Sequence, residues 1–222
     1  MGPYFNAEFF DFLKQLKRNN RREWFAKNKP RFESVVRDPC LRFITEAAEP
    51  LNDISPQIVA DPSPNGGSLF RIYRDIRFSE NKQPYKTHIG IQFRHAAEKK
   101  DVHAPGFYFH LEPGQYFLAA GSWRPESKQL NSIRQAIVAK PEHWTKAVSK
   151  LTLDGEVLSR PPRGFAADHP LIEDLKRKDF IALVEFSESQ ICGPKFMKDF
   201  TKACQQISPL VEFLSQALGF RY

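Results

Sequence analysis

The stretch His88-Ile-Gly-Ile-Gln-Phe-Arg-His95 places its large apolar side chains at every second position. Successive side chains of a β-strand point to opposite faces, so this period of two predicts a strand with one apolar and one polar face. The same alternation recurs in Phe107-Tyr-Phe-His-Leu-Glu112, and residues 116–121 continue it after the turn residues Pro113-Gly114. Such a series of short strands is typical of an antiparallel sheet with one face on the core.

Helical patterns flank this sheet on both sides in the sequence. Asn6 can cap a first helix that ends at Asn19-Asn20, and Pro30 is expected to kink a second helical pattern or to begin a new helix. Further helices are predicted at residues 41–51, from about 126, near 141, at 171–178 and along the C-terminal stripes 196–207 and 210–218, with a strand at 180–186. The sequence therefore predicts one α+β domain over residues 1–222, with helical termini and helices packed mainly on one face of a largely antiparallel sheet.

Composition excludes several classes of protein. Hydrophobic residues make up 41% of the 222 positions, which is too many for a disordered chain. No run approaches the roughly 20 apolar residues of a membrane helix, and no secretory signal is visible at the N-terminus. The three cysteines are odd in number and form no Cys-x-x-Cys pair, so we predict free thiols in a cytoplasmic protein.

Positive charge is concentrated in Arg71-Ile-Tyr-Arg-Asp-Ile-Arg-Phe-Ser-Glu-Asn-Lys-Gln-Pro-Tyr-Lys86, just before the first long strand. On a strand, Phe70, Ile72, Ile76 and Phe78 would face the core, and the opposite face would be a charged platform. Arginine offers a planar fork of donors that fits phosphate and carboxylate oxygens. The ligand-binding candidates are Arg71, Arg74, Arg77, Lys82, Tyr85 and Lys86. The alternative is a structural lattice in which Asp75 and Glu80 hold the arginines.

A second basic segment lies upstream. Residues 14–37 carry nine lysines and arginines against two glutamates, and the whole chain has a formal net charge of +7. A concentrated positive field attracts nucleic acid, acidic protein or phosphorylated metabolites. The alternative is an ordinary solvated helix face.

The basic stretch resembles the signature of an uncharacterised domain family found in bacteria and inside longer fungal proteins. That signature is approximately R-x-x-R-D-x-R-F, then an Asp/Asn-Lys pair, then a Tyr. The matching positions here are Arg71, Arg74, Asp75, Arg77, Phe78, Asn81, Lys82 and Tyr85. Residues 19–25, 105–114 and 160–165 also resemble the family, whereas Ala119-Ala120-Gly121 departs from an expected glycine-rich run. Because this is a domain of unknown function, the resemblance implies no mechanism.

Candidate chemistry lies on the polar face of the predicted sheet. In a simple register this face would carry Arg71, Asp75, Arg77, His88, Arg94, Tyr108, His110 and Glu112. Asp75, His110 and Glu112 are candidates for acid–base catalysis, although nearby cations would lower a carboxylate pKa and weaken it as a base. His88, His110 and Glu112 could form a three-ligand zinc site, but the spacing matches no established metal motif, so neither metal nor cofactor is predicted.

Three hypotheses for the function follow. The first is a domain that binds a phosphate-bearing or polyanionic ligand on the arginine platform. The second is an enzyme that acts on a phosphorylated or nucleic-acid substrate by acid–base chemistry. The third is a protein-interaction domain in which the arginines and Asp75 are structural. The sequence does not determine whether the protein is an enzyme, nor its oligomeric state.

Overall fold

The computed structural model describes residues 2–98, 101 and 103–222, and its strands form one antiparallel sheet. The strands are β1 (Ile58–Val59), β2 (Ile89–His95), β3 (Gly106–Glu112), β4 (Gln115–Ser122), β5 (Leu153–Asp154) and β6 (Phe180–Glu185). Their order in the sheet is β1-β2-β3-β4-β6-β5. The long strands predicted from alternation are confirmed, with ends that differ by at most one residue.

Helices come before and after the main strands along the chain, as predicted. They are α1 (Ala7–Arg18), α2 (Arg22–Phe32), α3 (Asp38–Ile54), α4 (Ser127–Ala139), α5 (Pro141–Val148), α6 (Ile172–Leu175), α7 (Glu188–Ile191) and α8 (Phe196–Ala217). Asn6 caps α1, because its side-chain Oδ1 accepts a hydrogen bond of 3.0 Å from the Phe9 amide. The predicted α+β class with helical termini is confirmed.

Pro30 does not end its helix. α2 runs through Pro30 to Phe32, and one π-helical turn, Glu33–Arg37, joins it to α3 without leaving helical geometry. Proline removes one backbone donor and crowds the preceding turn. The wider turn that follows is a known way for a helix to continue past such a disturbance.

The core lies between the apolar face of the sheet and the helices. Phe109 on β3 is fully buried, and its ring centroid lies 5.5 Å from that of Phe43 on α3 and 5.4 Å from that of Phe196 on α8. Phe5, just before α1, reaches the same Phe196 at 5.9 Å. The two ends of the chain therefore share one aromatic core. Among the described residues, no helix has the length and apolar character that crossing a membrane requires.

The stretch predicted to carry the charged platform is not a strand of the sheet, and this prediction is wrong. Leu69 bridges Ile91 on the side of β2 that also pairs with β1, and the chain then leaves the sheet and pairs with itself. The Arg74 amide donates to the Pro84 carbonyl at 2.9 Å, and the Lys86 amide donates to the Ile72 carbonyl at 2.8 Å. We call this hairpin-like excursion, residues 71–86, the basic arm.

The cause lies in the edges of the sheet. β3 pairs with one side of β2, and β1 together with Leu69 pairs with the other, so no edge remains beside β2 for residues 71–78. Without a place in the sheet, the alternating apolar side chains of residues 71–78 have no apolar surface to pack against. Phe78, expected in the core, is instead 95% exposed at the tip of the arm.

Candidate functional site

The base of the basic arm is fixed to the α1–α2 corner by one side chain. Asn20 donates from Nδ2 to the Tyr85 carbonyl at 2.9 Å and accepts from the Tyr85 amide at 3.0 Å. The Tyr85 ring is buried and stacks on Phe25, with 4.2 Å between ring centroids. Tyr85, predicted as a ligand contact, thus packs inside the base of the arm.

The tip of the arm is ordered by its own polar contacts. Arg77 donates from Nε and Nη2 to the two carboxylate oxygens of Asp75, at 3.0 and 2.7 Å. These hydrogen bonds lower the pKa of Asp75 to about 2, which makes it a poor general base at neutral pH. Lys82 donates to the Ile76 carbonyl at 3.1 Å, and Arg74 donates to Ser79 at 3.3 Å.

The predicted ligand residues form two groups and not one platform. Arg77 and Lys82 are exposed at the tip beside Phe78, whose ring centroid lies 5.8 Å from the Arg77 guanidinium carbon. Arg71 and Lys86 lie together at the base, where burial and then the charge of Arg71 lower the pKa of Lys86. Each group therefore carries two cations, of which Arg77 is already paired with Asp75.

The polar face of the sheet carries a compact set of histidine and carboxylate groups next to the arm. His88, His110 and Glu112 each have one possible ligand atom, and these atoms lie within 4.8 Å of one another. We call them the histidine–glutamate cluster. The antiparallel register places His110 opposite Gly90, and the His88 and His110 rings stack with centroids 4.7 Å apart.

Neighbouring side chains hold the members of this cluster in place. The Tyr108 hydroxyl lies 3.1 Å from His110 Nδ1, and Phe117 stacks on the other face of the imidazole at 4.7 Å. Glu112 Oε1 accepts from the Thr87 hydroxyl at 3.0 Å and from Lys17 Nζ at 3.4 Å. The remaining atoms, His110 Nε2 and Glu112 Oε2, face each other at 3.7 Å.

Burial sets the protonation of the cluster. It lowers the pKa of His88 to about 4, with a further contribution from the charge of His110, and it also lowers the pKa of His110. It raises the pKa of Tyr108 to about 12. At neutral pH both imidazoles are therefore uncharged and the phenol is protonated.

The sequence located part of this arrangement. His88, Arg94, Tyr108, His110 and Glu112 do share the polar side of the sheet, while the predicted companions Arg71, Asp75 and Arg77 lie on the arm. Sequence reasoning missed Lys17, Asn20, Thr87 and Phe117. Only Asn20 had a signal, as the residue that ends the first helix, and its long-range partner was not foreseeable.

Gly121 is the one glycine in Ala119-Ala120-Gly121, where the family resemblance predicts a glycine-rich run. Its φ is +126°, and an added Cβ would lie 1.8 Å from the Phe180 carbonyl oxygen on β6. The close backbone approach at this position is therefore made to the neighbouring strand.

Comparisons with known proteins give a family and nothing further. Residues 8–213 match the model of a family described as a conserved hypothetical protein, DUF2461. No curated protein and no solved structure matches the chain. The matched range includes both the basic arm and the histidine–glutamate cluster, and it agrees with the resemblance to an uncharacterised family.

Proposed function

This chain belongs to the DUF2461 family of conserved hypothetical proteins, and we propose that it binds a polyanionic ligand, single-stranded nucleic acid, through its basic arm. The observation that carries the proposal is the exposed phenylalanine between cations at the tip. Phe78 is 95% exposed, Arg77 lies over its ring, and the Lys82 side chain bonds back to the tip at Ile76. Aromatic rings beside cations are the means by which proteins stack bases and hold the phosphate backbone.

An exposed phenylalanine is also a sign of a missing partner. Burying a phenylalanine side chain is favourable by about 1.5–3 kcal/mol, so a solvated ring at a projecting tip gains by stacking on another flat surface. A nucleobase supplies such a surface and brings its own phosphate to the neighbouring cations. A small metabolite with one phosphate group would not need the ring.

Positive charge continues from the arm toward the N-terminal helices. Asn20 joins the arm to the α1–α2 corner, where Arg18, Arg21 and Arg22 are exposed. Arg22 lies near Tyr85: burial raises the pKa of that phenol, and the charge of Arg22 acts in the opposite direction. The cations thus extend beyond the arm, which favours a ligand with several phosphates over one with a single phosphate.

The proposal includes a cytoplasmic location. Cys40, Cys192 and Cys204 are free, and burial raises the pKa of each thiol. Free, protonated thiols, of which those of Cys40 and Cys204 are buried, suit a reducing compartment, which is also where RNA is abundant.

The first test is the Phe78→Ala variant, measured by fluorescence anisotropy with a labelled single-stranded oligonucleotide. Loss of one stacked base should cost about 1–3 kcal/mol, so we expect binding weaker by about tenfold or more. Since Phe78 contributes almost nothing to the core, the variant should keep the melting temperature of the wild type. Equal affinity of variant and wild type would contradict the proposal.

The charge contribution is measured separately with Arg71→Ala/Lys82→Ala across a salt series. Each phosphate contact on a single strand contributes about 0.7 to the slope of log affinity against log salt, so the slope should fall by about 1.4. The control is Lys146→Ala/Lys150→Ala, which removes two exposed cations at and just beyond the end of α5, a helix that packs on α4 and α8. If the control variant weakens binding as much as the arm variant does, the weaker binding results from the loss of net charge and not from the position of the two cations.

A further inference from the structure

We propose that His88, His110 and Glu112 form a binding site for a divalent transition-metal ion of the zinc type. The proposal is independent of nucleic-acid binding by the basic arm. The sequence contains no established metal motif, because His110 and Glu112 lie 22 and 24 positions after His88, and His88 meets them only through the pairing of β2 with β3. The structure brings the three ligands together, although their spacing in the sequence matches no metal motif.

The first argument is geometric. One ligand atom from each residue lies within 4.8 Å of the others, and His110 Nε2 is 3.7 Å from Glu112 Oε2. In a tetrahedral zinc site with bonds of about 2.0–2.1 Å, neighbouring ligand atoms are roughly 3.3 Å apart. The observed separations therefore require adjustments of side chains only, with no change of strand register.

The second argument concerns the buried imidazole. His110 is 8% exposed, and its Nε2 has no hydrogen-bond partner among the described residues. Buried polar atoms in native proteins are almost always hydrogen-bonded, so an unpaired one calls for an explanation. A metal ion between Nε2 and Glu112 Oε2 would satisfy both atoms at once.

The third argument is that two of the ligands already have supporting contacts. The Tyr108 hydroxyl beside His110 Nδ1 can accept the Nδ1–H and so leave the Nε2 lone pair for a metal. Thr87 and Lys17 bind Glu112 Oε1 and leave Oε2 directed at His110. Partners of this kind orient metal ligands and commonly account for tenfold to 100-fold in affinity.

The ligand set also indicates which metals fit. Two imidazoles and one carboxylate suit zinc and its neighbours, whereas magnesium and calcium prefer oxygen ligands alone. Three protein ligands leave a fourth tetrahedral position for water or a substrate atom, as in catalytic zinc sites. Lys86, which is close enough for its charge to lower the pKa of His88, would stand beside an anionic group bound there.

The test is direct metal binding by tag-free protein that has been stripped with a chelator. Zn²⁺ is titrated in competition with a chromophoric chelator, and Co²⁺ is titrated in parallel to record the visible bands of a tetrahedral site. We expect one equivalent of either metal to bind and a large excess of Mg²⁺ not to compete. Absence of stoichiometric Zn²⁺ binding by the wild type would overturn the proposal.

Three variants locate the site. His110→Ala and Glu112→Gln should each weaken Zn²⁺ binding by about 100-fold and abolish the cobalt bands. His143→Ala, an exposed histidine on α5, is the matched control and should bind as the wild type does. If His110→Ala fails to fold, Glu112→Gln decides the matter, because it keeps the size of the side chain. Unchanged affinity for Zn²⁺ in a folded Glu112→Gln protein would contradict the metal site, and the three residues would then form a histidine–carboxylate contact without a metal.

Tyr108→Phe tests the supporting contact. Tyr108 is a positioning residue in this proposal, since it touches a ligand and not the metal. Its removal should weaken Zn²⁺ binding by about tenfold while the tetrahedral cobalt bands remain. Full affinity in this variant would show that the hydroxyl does not orient His110.

Discussion

Asn20 makes both of its hydrogen bonds to the backbone of a residue 65 positions away, the buried Tyr85. An asparagine amide carries a donor and an acceptor side by side, so it can pair with a peptide unit as a neighbouring strand would. Tyr85 bridges Tyr73 across the arm, but its own amide and carbonyl bond to Asn20 and not to a strand. Asn20 supplies the missing partner and so fixes the arm to the helices.

Replacement of Asn20 tests this role. Asn20→Ala leaves the Tyr85 amide and carbonyl unpaired in a buried place, which should lower the free energy of unfolding by about 2 kcal/mol. We also expect faster hydrogen exchange at the Tyr85 amide, measured by mass spectrometry or NMR.

Asn28→Ala is the control for this variant. Among the described residues, the Asn28 side-chain amide bonds to the Trp24 carbonyl within its own helix and is partly exposed, so its loss should cost well under 1 kcal/mol. Similar losses from both variants would mean that the arm does not depend on Asn20.

Gly90 has a steric role near the start of β2. An added Cβ would lie 2.9 Å from both Cε2 and Oη of Tyr108 and 3.0 Å from Cδ2 of Phe70. Tyr108 can lie across this strand and reach His110 only because the position has no side chain. One glycine in one strand therefore sets the geometry of a residue on the next.

Gly90→Ala should displace Tyr108 and break its contact with His110. Overpacking of this kind costs about 1–3 kcal/mol, which chemical denaturation would measure. The same substitution in a Tyr108→Ala background should cost much less, because the clash is gone. Equal costs in the two backgrounds would show that Tyr108 does not need the space.

The elements differed in how far the sequence predicted them. Strands β2, β3 and β4 pair in the order in which they follow one another in the chain, so each finds its partner nearby in the sequence and the alternation is a sufficient signal. The basic arm has a similar alternation, but the edge of β2 is already occupied. A segment can form a strand only where an edge of the sheet is available. The period of two in its sequence does not show whether such an edge exists.

The whole molecule is held by one aromatic core in which Phe109 is central. Its ring lies within 5.6 Å of those of Phe43, Phe196 and Phe200, on two different helices. Phe109→Ala should lower the free energy of unfolding by about 3–5 kcal/mol, measured by chemical denaturation. Phe78→Ala removes the same atoms from an exposed ring and should change it by less than about 0.5 kcal/mol. Comparable losses of stability in the two variants would contradict the placement of Phe109 in the core and of Phe78 on the surface.

At the scale of the molecule, the class of fold was predictable and the site was predictable only in part. Apolar patterns identify which strand face meets the helices, and this places His110 and Glu112 on the opposite face. The convergence of His88 with them depends on the pairing of Gly90 with His110, which no local pattern specifies. The contact of Thr87 with Glu112 depends on that register too, whereas the contact of Lys17 depends on how α1 packs against the sheet.

The contact between Phe5 and Phe196 has a consequence for synthesis of the protein. The two rings that meet in the core are separated by 191 positions of chain. A ribosome that adds about 5–20 residues per second needs roughly 10–40 s to produce that length. For that interval the hairpins of the sheet can form, but the first helix has no completed core to enter. Phe5 therefore cannot meet its partner on α8 until Phe196 has left the ribosome.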